Sequence, residues 1–105
     1  MNNSFGFREP DLDIIRSVIS RFPQVSEAVI FGSRAKGNFR RGSDVDIALK
    51  GCGLNLDIVS QISHILNEES ILPYKFDVLN FQSISNEELT NHINRVGITI
   101  YTINA

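Results

Sequence analysis

The segment over residues 27–50 constrains the fold most strongly, because two apolar runs of strand length lie on either side of a polar loop. The run EAVIF is rich in β-forming residues and ends at Gly32, which predicts a buried strand. The run DVDIALK alternates, so it predicts a second strand with one core-facing row: Val45, Ile47 and Leu49. We therefore expect a sheet, with the loop GSRAKGNFRRGS between two of its strands.

Three further segments show the apolar periodicity of amphipathic helices. In PDLDIIRSVISRF, which has Pro10 in its first turn, the apolar stripe consists of Leu12, Ile15, Val18, Ile19 and Phe22. In LNLDIVSQISHILNEE the stripe consists of Leu54, Ile58, Ile62, Ile65 and Leu66. In SNEELTNHINRVG we expect Ser85 to cap the helix, Glu88 to complete a capping box, and Gly97 to end the helix.

Two more strands complete the predicted architecture. YKFDVLNF follows the break at Pro73 and reads as a third strand, and ITIYTI reads as a short terminal strand at an edge of the sheet. The order is helix, strand, strand, helix, strand, helix. This order predicts an α/β or α+β fold, a small mixed sheet with helices packed on it. A chain of 105 residues is expected to form one domain over residues 1–105.

Composition excludes several functional classes. The formal net charge of −2 argues against a general nucleic-acid binder, which needs many cations to neutralise phosphates. The single cysteine, Cys52, forms no intrachain disulfide, and we expect it to be a partly buried filler beside a turn. The N-terminus lacks the pattern of a secretory signal, and no apolar run approaches the ~20 residues of a membrane helix. We therefore expect a cytoplasmic protein without membrane contact.

The acidic residues of the strands are the candidate metal ligands. Asp44 and Asp46 lie on one face of their strand, ~7 Å apart, while Val45 points the other way. Two carboxylates so placed repel each other and add nothing to a core, and their oxygens suit Mg²⁺, which completes its shell with water and substrate phosphate. Asp77 can join the pair if YKFDVLNF lies beside DVDIALK; otherwise it pairs with Lys75 or faces water.

The Gly-Ser pair is the candidate phosphate seat. Gly32 allows close approach of the backbone to a ligand, and SRAK can begin a short helix whose first N–H groups are unpaired. Ser33 either caps that helix or donates its hydroxyl group to a phosphate. Positive charge follows on four residues: Arg34, Lys36, Arg40 and Arg41. A phosphate-binding site beside a divalent-metal site is the combination that phosphoryl or nucleotidyl transfer requires.

GSRAKGNFRRGSDVD resembles the signature of the polymerase-beta-like nucleotidyltransferases, a Gly-Ser pair and an Asp-x-Asp pair ten residues apart. More closely, nearly the whole chain resembles the minimal nucleotidyltransferases (MNT), the antitoxins of HEPN/MNT toxin–antitoxin pairs. The resemblance implies that Gly32 and Ser33 hold the triphosphate and that Arg34 neutralises phosphate. It implies that Asp44 and Asp46 bind two Mg²⁺ ions. Asp77 would complete the metal site and act as the base or orient the base. Lys36 stands where many relatives have arginine, which replaces bidentate recognition with a point charge.

The resemblance further implies a function. The enzyme would transfer AMP from ATP to the hydroxyl group of a tyrosine in a cognate HEPN toxin. It would work as a homo- or hetero-oligomer, and the sequence does not specify which. One alternative is an antitoxin that neutralises its partner by contact alone. A weaker one is nucleotidyl transfer to an antibiotic or an RNA end, and a glycosyltransferase-type Asp-x-Asp site is weaker again. His64 and His92 are both expected to face solvent.

Overall fold

A computed structural model of the chain describes residues 7–37 and 44–103. The helices are α1 (Glu9–Ser20), α2 (Ser33–Lys36), α3 (Leu56–His64) and α4 (Glu87–Val96). α3 continues into a π-helical turn over Ile65–Glu69, and a 3₁₀ turn covers Phe81–Ser83. The strands are β1 (Glu27–Phe31), β2 (Val45–Lys50), β3 (Phe76–Asn80) and β4 (Ile98–Thr102). The predicted order of helices and strands is confirmed, and in the described residues no helix is long and apolar enough to cross a bilayer.

The described strands form one mixed sheet in the order β3-β2-β1-β4. β1 pairs antiparallel with both β2 and β4, whereas β2 and β3 are parallel, as their connection through α3 requires. The predicted terminal strand therefore lies at one edge of the sheet and β3 at the other. The parallel pair matters most for function, because it puts β3 directly beside the Asp-x-Asp strand.

The main core lies on one face of this sheet. α1 and α3 pack there, and the strand residues that meet them alternate with those of the opposite face. Each is buried: Ile30, Val45, Ile47, Leu49, Phe76 and Ile100. The helices contribute the buried part of their predicted stripes: Leu12, Ile15, Val18, Ile19, Ile62 and Leu66.

The opposite face carries a smaller apolar cluster. Val29, Phe31 and Ala48 lie in it under Ile93 of α4. Partly buried side chains surround this cluster: Leu79, Phe81, Ile84 and Leu89. The cluster covers the middle of the face and leaves the acidic ends of β2 and β3 outside it.

Two local expectations were wrong. Asn86 rather than Ser85 caps α4, because its side-chain oxygen accepts a hydrogen bond from the Leu89 N–H; asparagine competes well with serine for this position. Cys52 is exposed rather than partly buried, although its neighbour Gly51 in the same turn is buried. The predicted stop at Gly97 is confirmed, because Gly97 is the residue that ends α4.

Candidate active site

The structure brings the three predicted acids to one end of the β2–β3 pair. Asp44 directly precedes β2, and Asp46 is the second residue of that strand. Asp46 stands opposite Asp77 in the parallel register, so both side chains project from the face opposite the main core. Asp44 and Asp77 are exposed, and Asp46 is partly buried. Asp77 makes no ion pair with Lys75 in the part of the chain that the structure describes.

The charges of these acids act on one another. Burial raises the pKa of Asp46 above its usual range, and the nearby carboxylates of Asp77 and Asp44 raise it further. A carboxylate that is partly desolvated and flanked by like charges is stabilised by any cation placed among them. The electrostatics of this end of the sheet therefore favour a cation, and the group most affected is Asp46.

The acids do not form a closed metal cage. Among the residues 7–37 and 44–103, no group of three or more His, Cys, Asp or Glu side chains is arranged to hold a metal ion. Mg²⁺ does not need such a cage, because it is usually bound by one or two carboxylates, several waters and substrate phosphates. The carboxylates of Asp46 and Asp77, next to each other in register, fit that mode of binding.

Gly32 joins the two halves of the sequence motif. It follows β1 with φ of 77°, a backbone conformation that side chains disfavour. A Cβ atom at this position would also collide with Oδ2 of Asp46. The Gly-Ser turn thus packs directly against the Asp-x-Asp strand. The backbone conformation favours glycine there, and any side chain would also force the Asp46 carboxylate to move.

The short helix after Gly32 forms as predicted, but its cap does not. Gly32 is the N-cap residue of α2 and Ser33 is its first helical residue, with no side-chain capping bond. The prediction that Ser33 caps the helix is therefore wrong. The alternative prediction, that the Ser33 hydroxyl group donates to a phosphate, stays a prediction. The carbonyl of Gly32 accepts the Lys36 N–H at 3.1 Å, which closes the single turn.

Arg34 lies in a different environment from the one that its sequence position suggested. Its side chain is only 4% exposed, and its guanidinium carbon stands 4.9 Å from the ring centre of Phe7 and 5.0 Å from that of Tyr74. Burial lowers the pKa of Arg34. The Tyr74 hydroxyl in turn donates to Asp11 of α1 at 2.8 Å. Arg34 thereby fastens α2 to α1 and to the segment before β3; its contact with phosphate stays a prediction.

His92 was expected to face solvent, and that expectation was wrong. Its Nε2 accepts a hydrogen bond from the Gly32 N–H at 3.2 Å, and its ring stands edge to face with Phe31 at 6.3 Å. Helical spacing could have indicated this position, because His92 lies three residues after Leu89 and therefore on the apolar side of α4. His64, in contrast, is exposed beside Glu69 as predicted. The basic residues Arg40 and Arg41 lie outside the described residues.

Comparison with solved structures identifies the same fold. A toxin–antitoxin complex with AMP-PNP matches with a TM-score of 0.71 and 22% identity, over 90% of this chain and 74% of that one. A toxin–antitoxin MntA-HepT complex matches at 0.69 and 17%, over 92% and 74%. The tri-AMPylated Shewanella oneidensis HEPN toxin in complex with MNT antitoxin matches at 0.69 and 17%, over 93% and 75%. At these identities the likeness is one of fold.

A search of curated proteins finds no match to the chain. The family model described as "Polymerase beta, Nucleotidyltransferase" matches residues 13–105, a span that includes the Gly-Ser turn and all three acids. The predicted fold is thereby confirmed, and the family model supports the predicted class of enzyme, a nucleotidyltransferase. The chain belongs to the polymerase beta family of nucleotidyltransferases.

Proposed function

We propose that the protein transfers AMP from ATP to a hydroxyl group, a tyrosine, of a cognate HEPN toxin and so acts as its antitoxin in the cytoplasm. One observation carries the proposal: Asp46 stands opposite Asp77 and against Gly32, so the acid pair and the Gly-Ser turn meet at one point. Transfer of a nucleotide needs both at once, because the phosphates and the metal that neutralises them are bound together.

The acids supply the metal site in this proposal. Asp44 and Asp46 would hold Mg²⁺ together with the triphosphate, and Asp77 would complete the site from the neighbouring strand. Bound Mg²⁺ would lower the pKa of the attacking hydroxyl group and neutralise charge on the leaving pyrophosphate. Asp77 is exposed and therefore accessible to an acceptor, which suits its predicted role in taking or orienting the hydroxyl proton.

The Gly-Ser turn supplies the phosphate contacts. Gly32 contributes by having no side chain, which leaves room for Asp46 and for a ligand beside it. The Ser33 hydroxyl group, not used as a helix cap, donates to a phosphate oxygen. Arg34 is buried against the contacting rings of Phe7 and Tyr74, so its charge acts on the triphosphate over a distance and its main effect is to hold α2 in place.

The comparisons support the choice of nucleotide and acceptor. One structural neighbour contains AMP-PNP, an analogue of ATP, and another contains a HEPN toxin carrying three AMP groups beside an MNT antitoxin. Both alignments include 90% or more of this chain. This similarity of fold supports an AMP donor and a HEPN acceptor for this chain.

Labelled ATP tests the proposal. The purified chain is incubated with Mg²⁺, α-labelled ATP and the proposed HEPN partner, the product of the adjacent gene, and the label on that protein is measured. We expect wild type to label the partner and the double variant Asp44→Asn, Asp46→Asn to lose more than ~10²-fold in rate, since it lacks the charge that holds the metal. Asp57→Asn is the matched control, because Asp57 is an exposed acid at the start of α3.

Two outcomes would contradict the proposal. An unlabelled partner that still binds the wild-type chain tightly would leave neutralisation by contact as the function. Equal protection of cells from the toxin by wild type and by the double variant would indicate the same. Label on an antibiotic or on RNA, with none on the partner protein, would keep the enzyme class and change the acceptor.

A further inference from the structure

The hydrogen bond between Gly32 and His92 joins two distant parts of the chain at the candidate site. Gly32 lies between β1 and α2, whereas His92 lies in the middle of α4, sixty positions later. The donor is the backbone N–H of Gly32 and the acceptor is Nε2 of the imidazole, 3.2 Å away. This bond uses the Gly32 N–H inside the protein, so that group is not a donor to a bound phosphate.

The imidazole is held in place from two sides. Its edge-to-face contact with Phe31, at an interplanar angle of 79°, fixes the ring against the last residue of β1. The next residue of α4, Ile93, is buried in the cluster that covers this face of the sheet. α4 therefore presents His92 to Gly32 from a packed position.

The peptide that His92 holds is the one that matters for the site. Gly32 has an unusual φ of 77° and its Cα lies against the Asp46 carboxylate. A small rotation of this peptide would move Ser33 and change the space beside Asp46. We propose that His92 is a positioning residue for nucleotide binding: by accepting the Gly32 N–H it fixes the turn that presents Ser33 beside Asp46.

The charge state of His92 suits an acceptor. Burial lowers the pKa of His92, and the positive charges of Lys36 on α2 and Arg95 on α4 lower it further. The element beneath the ring, β1, offers the uncharged Phe31. The ring is therefore neutral at physiological pH, with Nε2 free to accept and the proton on Nδ1.

This inference rests on the proposed function, because the turn positions a nucleotide only if the protein binds one. Three variants separate the contributions. His92→Leu keeps apolar volume against Phe31 and removes the acceptor, whereas His92→Gln keeps an acceptor oxygen at a similar distance from the backbone. His64→Leu is the control, because His64 is an exposed histidine of another helix.

Two measurements are made on each variant: the Kd for AMP-PNP with Mg²⁺ by calorimetry, and hydrogen exchange of the Gly32 amide by NMR. We expect His92→Leu to weaken binding by about 3- to 10-fold, the effect of one hydrogen bond, and to speed exchange of that amide. His92→Gln should restore both, and His64→Leu should change neither. A side chain that served packing alone would not be rescued by glutamine.

The inference is overturned if His92→Leu binds the nucleotide as tightly as wild type, or if His92→Gln binds as weakly as His92→Leu. Wild-type protein that binds no AMP-PNP in the presence of Mg²⁺ contradicts the proposed function and the inference together. Nucleotide binding that is unaffected in all variants contradicts only the role of His92. A thermal melt of each variant confirms that the compared chains are folded.

Discussion

The two faces of the sheet differ in what their strands contribute. On the face under α1 and α3, β2 presents Val45, Ile47 and Leu49, and all three are fully buried. On the other face, the same strand presents Asp46 and Ala48, of which only Ala48 is fully buried. Alternate side chains of β2 thus face a continuous core on one side. On the other side they face a surface that changes from apolar to acidic toward the N-terminal end of the strand.

This difference separates stability from activity along a single strand. The first face stabilises the protein by removing apolar side chains from water, at about 25 cal/mol per Å² of buried surface. The second face keeps carboxylates close together and partly desolvated, which costs free energy in the absence of a cation. We expect Ile47→Ala on the first face to lower stability, and Asp46→Asn on the second face to raise it slightly because it removes a repelling charge.

The largest effect is expected on the buried face. Ile47→Ala removes a side chain with 0% exposure from the main core and should lower the free energy of unfolding by about 2–5 kcal/mol. Leu79→Ala is the matched change on the opposite face, where Leu79 is only partly buried. Urea denaturation should show less than half the loss for Leu79→Ala. Equal losses would mean that the two faces contribute alike to stability.

A middle effect is expected where the second face meets the Gly-Ser turn. Gly32→Ala puts a Cβ atom into Asp46 at a positive φ, and should cost about 1–3 kcal/mol and weaken AMP-PNP binding more than tenfold. Gly37→Ala is the control for a side chain at positive φ, because Gly37 has the left-handed conformation (φ 82°, ψ 4°) and no atom within 4 Å of an added Cβ, whereas Gly32 (φ 77°, ψ −150°) is more strained. Denaturation and calorimetry on both variants measure the difference. Similar binding by the two variants would contradict the contact with Asp46.

The smallest effect is expected for Asp46→Asn without metal, and it has the opposite sign. The folded protein raises the pKa of Asp46 above its ordinary 3.8, so the folded state binds this proton more tightly than the unfolded state. The contribution of Asp46 to stability therefore falls as pH rises from 3.8 through the raised pKa, and its ionised carboxylate is unfavourable at neutral pH.

Asparagine removes that charge. We expect Asp46→Asn to melt slightly above wild type at about pH 7, with the advantage shrinking as pH falls toward about 4. Differential scanning calorimetry in the presence of a chelator measures this trend, with Asp57→Asn again as control. A variant less stable than wild type at neutral pH would show that the acidic end of β2 is not under electrostatic stress.

Much of this architecture was predictable from local patterns. The strand EAVIF ends at Phe31 as its composition indicated, and the alternation in β2 placed Ile47 in the core and Asp46 on the other face. The spacing of the Gly-Ser and Asp-x-Asp pairs identified the family before any fold was known. These features depend on residues close together in sequence, so short-range periodicity and turn chemistry are enough to predict them.

Contacts between distant segments were not predictable in the same way. Arg34 contacts the rings of Phe7 and Tyr74, which also contact each other, although one residue precedes Arg34 by 27 positions and the other follows it by 40. His92 reaches Gly32 only because α4 crosses the second face. Asn86 replaced Ser85 as the cap because two good capping residues are adjacent, and the path of the chain into α4 decides between them.

The sequence by itself determined the order of helices and strands, the alternating rows of β2 and the family of the chain. Each of these follows from side-chain periodicity or from the chemistry of a short motif. Only the tertiary structure decided that Asp77 stands opposite Asp46, that Gly32 packs against that same carboxylate, and that His92 holds the Gly32 amide. The physical reason is that strand register and helix docking are set by burial across the whole chain, which no local pattern encodes.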